Sequence, residues 1–383
     1  MAMTDCRHFN GYKPCGKSTD CSSACISLDV PDTRILVISL EALGAVLRST
    51  SILPAIKRKY PKSHVTWVTK RPADGLLKEN SLIDRVLTTC EDGVLSLKAL
   101  QFDMAYCVDK SISAAGLLQL TKANQTFGFM VQPETGAIIP ATVAANELWQ
   151  IGLSDEKKFF KNKKPETQLL LEALELGPYK SDRYSIEFSK AEELEIANRR
   201  VKWLDDQKYI IGINTGCSDM IKYRKLSVDY QRRLIREIKK QKLGAVVLLG
   251  SPDDTLRNRQ ISAGLPITQS PTESGIRDGL LSVAACDIII SGDSLGMHMG
   301  IATQKWVIPW FGPTCAHEIE LYGRGSKVVT QANCSPCWKR LCHSPQMCYD
   351  LVPLEQFIDG IKKGFNWIGP TSSYKRPSWE TYY

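Results

Sequence analysis

Apolar residues along this chain gather into short, nearly continuous runs, separated by longer stretches in which they recur at helical spacing. Residues 34–40, "RILVISL", make the first run, and "ALGAVLRSTSILPAIKRKY" follows with the rhythm of about 3.6 residues that a helix needs. A buried strand, a short Gly-containing turn and a helix open a βαβ unit. Further strands are predicted over 63–69, 84–88, 104–108 and 126–130, with helical patterns such as "SISAAGLLQLTKA" between them. Residues 155–184 are polar, rich in Lys and broken by one helix, "ETQLLLEALELG", and make the best domain boundary.

Beyond that boundary the alternation restarts. Strands are predicted over 209–216, 244–250, 287–291 and 305–312, and helices at "AEELEIANRRVKWLDD", "VDYQRRLIREIKKQ", "DGLLSVAAC" and "MHMGIATQ". The pattern therefore predicts an α/β chain of two Rossmann-like, doubly wound parallel sheets facing a cleft. Its expected parts are an N-terminal arm over 1–33, a first domain over 34–185, a second over 186–368 and a tail over 369–383.

A length of 383 residues suits two cores, and 43% hydrophobic with 23% charged residues is ordinary globular composition. No apolar run has the length of about 18 residues that a membrane span needs, and "MAMTDCRHFNGYK" carries no apolar export signal. A cytoplasmic setting with at most peripheral membrane contact is expected. The net charge of +8 is uneven, because residues 222–242 hold nine Lys or Arg against Asp229 and Glu237. Such a stretch suits phosphate, an anionic head group or nucleic acid; it equally suits the solvated face of a helix.

Eight of the 13 cysteines form two groups of four: Cys6, Cys15, Cys21 and Cys25, then Cys334, Cys337, Cys342 and Cys348. Without an export signal, thiolate ligands for zinc or an iron–sulfur cluster are expected rather than disulfides. A short arm without a core needs such a staple to fold. His8 or His343 is a substitute ligand. Buried or partly oxidised thiols are the alternative, and Cys107 and Cys286, in or beside apolar strands, read as core residues.

Ligands of doubly wound sheets sit beyond the carboxyl ends of the strands, where helix N-termini offer free N–H groups to anions. Three turns stand there in the second domain. "NTGCS" supplies Thr215 and Gly216 beside Lys222, Arg224 and Lys225; "GSPDD" supplies Asp253 and Asp254, placed for ribose hydroxyls; "GDSLGMHMG" supplies Ser294, a helix start and His298. Asp293 and Ser294 alone fit a plain helix N-cap, and His298 alone fits a core histidine. Taken with the other turns, they fit a diphosphate cradle better. A full Gly-x-Gly-x-x-Gly motif is absent, which removes the usual support for a dinucleotide reading. There is also no Asp-x-Asp, the spacing that many metal-dependent sugar transferases use.

"RILVISLEALGAVLRSTSILPAIKRKYP", "IGINTGCS", "VVLLGSPDD", "ACDIIISGDSLGMHMGIATQKWVIPWFGPT" and "CSPCWKRLCHSPQMC" resemble, in that order, the family 9 glycosyltransferases, the heptosyltransferase-like enzymes. The N-terminal cysteine arm resembles an extension found in a subset of them. The resemblance runs from about Arg34 to Lys362. It implies the GT-B architecture and an inverting transfer of heptose or hexose from a nucleotide-diphosphate donor, without a catalytic metal. The implied acceptor is a lipopolysaccharide core or another glycan. It also implies that Asp293, Ser294, Gly296 and His298 sit at the donor diphosphate, Asp254 at the ribose, and a basic residue after "NTG", here Arg224, at the phosphates.

Two departures matter. Leu295 stands where the family often has Gly. In the first turn the resemblance implies an Asp acting as general base directly after Leu-Gly, but Leu43-Gly44 is followed by Ala45. The remaining carboxylates at those strand ends are Glu41 and Asp109. Glu41 also fits a solvent charge near a helix start, and Asp109 a plain N-cap. Two other outcomes follow from the missing Asp: an anionic acceptor such as RNA, or a non-catalytic, metal-stapled binding or sensor protein that has lost its base.

Overall fold

The computed structural model describes residues 4–369. The last part of the expected tail, 370–383, lies outside the described residues. The chain divides into two compact units between Phe188 and Ser189. The arm packs as part of the first unit rather than as a body of its own.

The first unit holds β1 (Thr33–Ile38), β2 (Ser63–Thr69), β3 (Arg85–Thr88), β4 (Gln101–Cys107), β5 (Lys122–Gln132) and β6 (Ala137–Pro140), in the order β3-β2-β1-β4-β5-β6. All neighbours pair in parallel except β5 and β6. The apolar runs become the central strands because both faces of a parallel sheet are covered. Thus every residue of β2 is buried, Trp67 completely. The Lys-rich passage of 155–184 leads up to the division, which falls three residues beyond the expected 185/186. Its helix, Glu166–Ala173, presses Leu169, Leu170 and Leu171 into the first core, so the break comes later.

The second unit repeats the plan with β7 (Ile210–Asn214), β8 (Ala245–Leu249), β9 (Thr268–Gln269), β10 (Ile288–Gly292), β11 (Trp306–Phe311) and β12 (Val328–Val329). Their order is β12-β11-β10-β7-β8-β9. Both sheets have the doubly wound order, so each has a switch point where the chain reverses direction: between β1 and β4, and between β7 and β10. The unit opens on a capping box, Ser189 with Glu192, in which the Arg277 guanidinium holds the Glu192 carboxyl down to about 2.

The basic stretch resolves into the solvated face. In the helix Val228–Lys240, Tyr230, Leu234, Ile235 and Ile238 turn inward, while Arg233, Arg236, Lys239 and Lys240 face solvent. Some of the charge serves the fold directly: Arg232 donates to the carbonyl of Ile261 at 2.7 Å and Lys239 to that of Pro266 at 3.0 Å. Cys107 and Cys286 are core residues, and burial pushes both thiols up to about 12.

One consequence concerns pH. His64 of β2 is buried, and burial pushes its imidazole down to about 4 from 6.5. The folded unit binds this proton more weakly than the unfolded chain, so the His64 contribution is full above about pH 6.5 and is lost as pH falls from there through about 4. We expect the unfolding midpoint of the protein to drop between pH 7 and 4.5, and to drop less in His64→Gln. Thermal denaturation across that range checks it.

Candidate functional site

The turns after β7, β8 and β10 meet at the second switch point. Asn214, the last residue of β7, ties two of them together: its side-chain amide donates to the carbonyl of Gly216 at 2.9 Å and to the hydroxyl of Ser294 at 3.0 Å. Ser291 joins through its own hydroxyl, 3.2 Å from that of Ser294. Thr215 is fully buried and donates to Asn258 at 2.5 Å. Behind it, Arg257 donates to the carbonyl of Thr215 at 3.0 Å and also to that of Leu226. Burial works against the Arg257 charge, and the two carbonyls hold it in place.

The turn leaves no room for side chains at two glycines. A Cβ on Gly216 would collide with the Asp254 carboxylate, and one on Gly296 would collide with Asn214. Asp254 itself is buried, and one of its oxygens accepts from the N–H and the hydroxyl of Ser251, at 2.9 and 2.8 Å. Its observed work is therefore to cap the β8 turn and hold it against Gly216.

Ser294 stands at the N-cap position of the helix Leu295–Ala302, but its side chain makes no capping hydrogen bond there. Its hydroxyl turns to Asn214 instead. Ser294 is therefore not a plain side-chain N-cap of this buried helix, whose first N–H groups carry a partial positive charge. Ser294 and His298 are both buried, and Asp293 lies beside them, half-buried. Arg224 closes the short helical turn Asp219–Arg224 after β7. Its guanidinium folds back on its own loop, 3.3 Å from the carbonyl of Ile221 and 3.4 Å from the hydroxyl of Ser218. Its backbone carbonyl packs onto Gly292.

In the first unit, the ends of β1 and β4 lie side by side, with the N–H of Val108 on the carbonyl of Ile38 at 3.0 Å. Asp109 accepts from the N–H groups of Leu40 at 2.6 Å and Glu41 at 3.0 Å, so it shapes the β1 turn rather than capping the following helix. Ser111 is the cap there. Burial pushes the Asp109 carboxyl above its ordinary range, against the pull of those two N–H bonds. Glu41 is exposed at the tip of the turn and pairs with Lys70. The next residue, Ala42, holds a φ of +41°, a strained conformation for a residue with a Cβ and one that Asp109 enforces from behind. Ala45 sits within the helix Leu43–Ser49, half-buried.

Each cysteine group borders a single space. Cys334, Cys337, Cys342 and Cys348 line one space together with Tyr223 and Gly312. Cys6, Cys15, Cys21 and Cys25 line another together with His8. His343 does not border the first of these. All eight thiols are free. The C-terminal group is bonded to the donor-side loops: the N–H of Cys342 donates to the hydroxyl of Tyr223 at 3.2 Å, and that of Cys337 to the carbonyl of Pro313 at 3.0 Å. Sequence reasoning did not find a third set, Cys315, His317 and Glu318, whose ligand atoms all lie within 4.8 Å of one another. It also passed over Asn214, although the first letter of "NTG" at a strand end was its signal.

The sequence model of glycosyltransferase family 9 (heptosyltransferase) matches residues 94–348. The chain belongs to this family. No curated protein sequence matches it. Among solved structures it resembles a family 9 glycosyl transferase from Veillonella parvula at 16% identity and a TM-score of 0.69, over 88% of this chain and 98% of that one. It also resembles the ADP-heptose LPS heptosyltransferase II of Escherichia coli at 16% identity and a TM-score of 0.61, over 86% and 99%. A third likeness is to the iron-containing dodecameric glycosyltransferase TibC of enterotoxigenic Escherichia coli, at 10% identity and a TM-score of 0.52, over 89% and 78%. At these identities the likenesses establish the fold: two Rossmann-like parallel-sheet units of GT-B type. Among the described residues, no helix is long and apolar enough to cross a membrane.

Proposed function

We propose that this family 9 protein is an inverting glycosyltransferase that moves a heptose or hexose from a nucleoside-diphosphate sugar to a lipopolysaccharide core or another glycan acceptor. The observation that carries this reading is the start of the helix Leu295–Ala302, where Ser294 is held by Asn214 at the switch point instead of capping the helix. That arrangement suits a diphosphate with no metal between: the helix N–H groups and His298 stabilise the charge that develops as the C1–O bond breaks. Thr215, Gly216, Asp293 and Gly296 shape the same cradle, with Asp254 bracing its ribose side and Arg224 at its rim.

The acceptor hydroxyl needs a base as it attacks C1. Glu41 takes that role because it is exposed beside a strained residue, whereas the Asp109 carboxylate is occupied by the turn. A glycan acceptor is favoured over RNA, since the basic stretch is a solvated helix face partly tied into the fold. Both cysteine groups bind metal, zinc or iron–sulfur, as staples; the iron of TibC supports this for a protein of the same fold. Reduced thiols fit a cytoplasmic enzyme that meets its acceptor at the membrane surface.

Incubation with ADP-heptose and with UDP- and GDP-hexoses, in the presence of lipopolysaccharide-core acceptors, tests the reading. Transfer with inversion at C1, seen by NMR of the product, is the expected result. Nucleotide binding without transfer to any acceptor would instead favour the non-catalytic sensor that Ala45 allows.

A further inference from the structure

Outside the cradle and the two cysteine groups, a further cluster of ligand-type side chains lies at the exit of β11. That strand runs parallel to β10, so both release the chain at the end of the second sheet where ligands of doubly wound folds bind. After Phe311 the chain passes through Gly312, Pro313 and Thr314 and tightens into one 3-10 turn, Ala316–Glu318. With three residues per turn, positions i and i+3 stack, which sets Cys315 and Glu318 on one side with His317 next to them. The Cys315 Sγ, a His317 ring nitrogen and a Glu318 carboxylate oxygen consequently all lie within 4.8 Å of one another. The segment is anchored before and after the turn. The Pro313 carbonyl accepts from the N–H groups of Cys337 and Trp338, at 3.0 and 2.8 Å, and Ile319 and Leu321 are buried. Cys315 does not border the space that Cys334, Cys337, Cys342 and Cys348 line, so the two sets are separate.

We propose that Cys315, His317 and Glu318 hold one zinc ion, with a water on its fourth position. A buried cysteine is ordinarily a small apolar residue among apolar neighbours. Cys315 is buried, yet it has an imidazole and a carboxylate within 4.8 Å. Thiolate, imidazole and carboxylate are the three donor types of zinc sites, and three protein ligands with an open fourth position are the pattern of its reactive sites. Magnesium and calcium call for oxygen donors throughout, so this set turns them away. The distances fit as well. Bonds of about 2.0–2.3 Å in a tetrahedron place ligand atoms about 3.3–3.5 Å apart, so closing on the ion asks for shifts of no more than about 1.5 Å. A second observation comes from Thr314, the residue before Cys315. Its hydroxyl is buried and makes no hydrogen bond among the described residues. Water on the fourth position is a partner of the kind that hydroxyl lacks. As the ion binds, the Cys315 thiol gives its proton to solvent and the neutral imidazole keeps its other nitrogen protonated. The ion then ties the exit of β11 into one rigid loop, at the ligand-binding end of the sheet and one strand away from the cradle.

Zinc counted in the full-length protein, purified without oxygen or chelator from zinc-supplemented cells, tests the site, with a thermal melt of each sample to confirm folding. His317→Ala and Glu318→Gln keep all 13 cysteines, so zinc they lose is not zinc lost from the groups of four. Each is expected to hold about one zinc per chain fewer than the parent. His317→Cys, which returns a zinc ligand to the same position, is expected to hold as much as the parent. That rescue separates a ligand from a side chain that only props up the turn. Equal zinc in the parent and in folded His317→Ala and Glu318→Gln overturns the proposal, and so does a parent without zinc. Zinc that leaves only with Cys15→Ser/Cys21→Ser or Cys334→Ser/Cys337→Ser also overturns it, while leaving the metal reading of the two groups standing.

Discussion

Gly296→Val is expected to weaken nucleotide binding by roughly 100-fold while leaving the second unit folded, because the change acts on the cradle and not on the core. The Cβ alone would strike Asn214, and that amide holds both the Gly216 carbonyl and the Ser294 hydroxyl. Valine pushes Asn214 out and separates the β7 turn from the β10 turn, so the helix start loses its alignment with the phosphates. Overpacking of this kind costs about 1–3 kcal/mol, and a 100-fold loss in affinity corresponds to about 2.7 kcal/mol. Titration with nucleoside diphosphates, alongside a thermal melt, separates the two effects. An unchanged affinity would mean that the three turns do not form the donor site.

The second large effect is on turnover. Glu41→Gln is expected to lower kcat by roughly 10²–10⁴-fold, the ordinary range for loss of a positioned base, with nucleotide affinity unchanged. Lys70 pairs with the Glu41 carboxylate at the tip of the turn. Full turnover in Glu41→Gln would remove it as the base. Asp109→Asn would reduce turnover for another reason, by releasing the N–H groups of Leu40 and Glu41 and relaxing the strained Ala42. A thermal melt run beside a steady-state assay at saturating donor distinguishes the pair, because only the Asp109 change should also lower the melting temperature.

Much of the fold was legible because buried parallel strands leave dense apolar runs. The prediction for 63–69 coincides with β2, and those for 244–250, 287–291 and 305–312 fall within a residue or so of β8, β10 and β11. The strands not foreseen, β6, β9 and β12, are four residues or fewer and lie at sheet edges, where burial leaves no such signature. The division between Phe188 and Ser189 lies three residues beyond the expected 185/186, and the helix within the polar passage 155–184 turns Leu169, Leu170 and Leu171 into the first core.

The candidate site was legible as three turns but not in its internal bonding. Asp293, Ser294 and His298 stood out by residue type, yet only the structure shows that Ser294 declines its capping role for Asn214. Arg224 stood out by its charge, which is visible in a sequence, whereas its loop conformation is not. Its side chain is bonded within residues 218–224, while Arg257, some distance along the chain, is the guanidinium that braces Thr215. Asp109 looked like a cap for the helix that follows, and its bonds run instead to a strand end 69 residues earlier. Such long-range pairing has no local pattern.

The central claim is that the β7, β8 and β10 turns hold a nucleoside diphosphate. Calorimetric titration of the protein, kept free of oxygen, with ADP, UDP, GDP and CDP tests it most directly, with Ser294→Ala and His298→Ala measured beside the parent. The account predicts that one nucleotide binds well and that both substitutions weaken it. Absence of binding by all four, or binding indifferent to both substitutions, would contradict it.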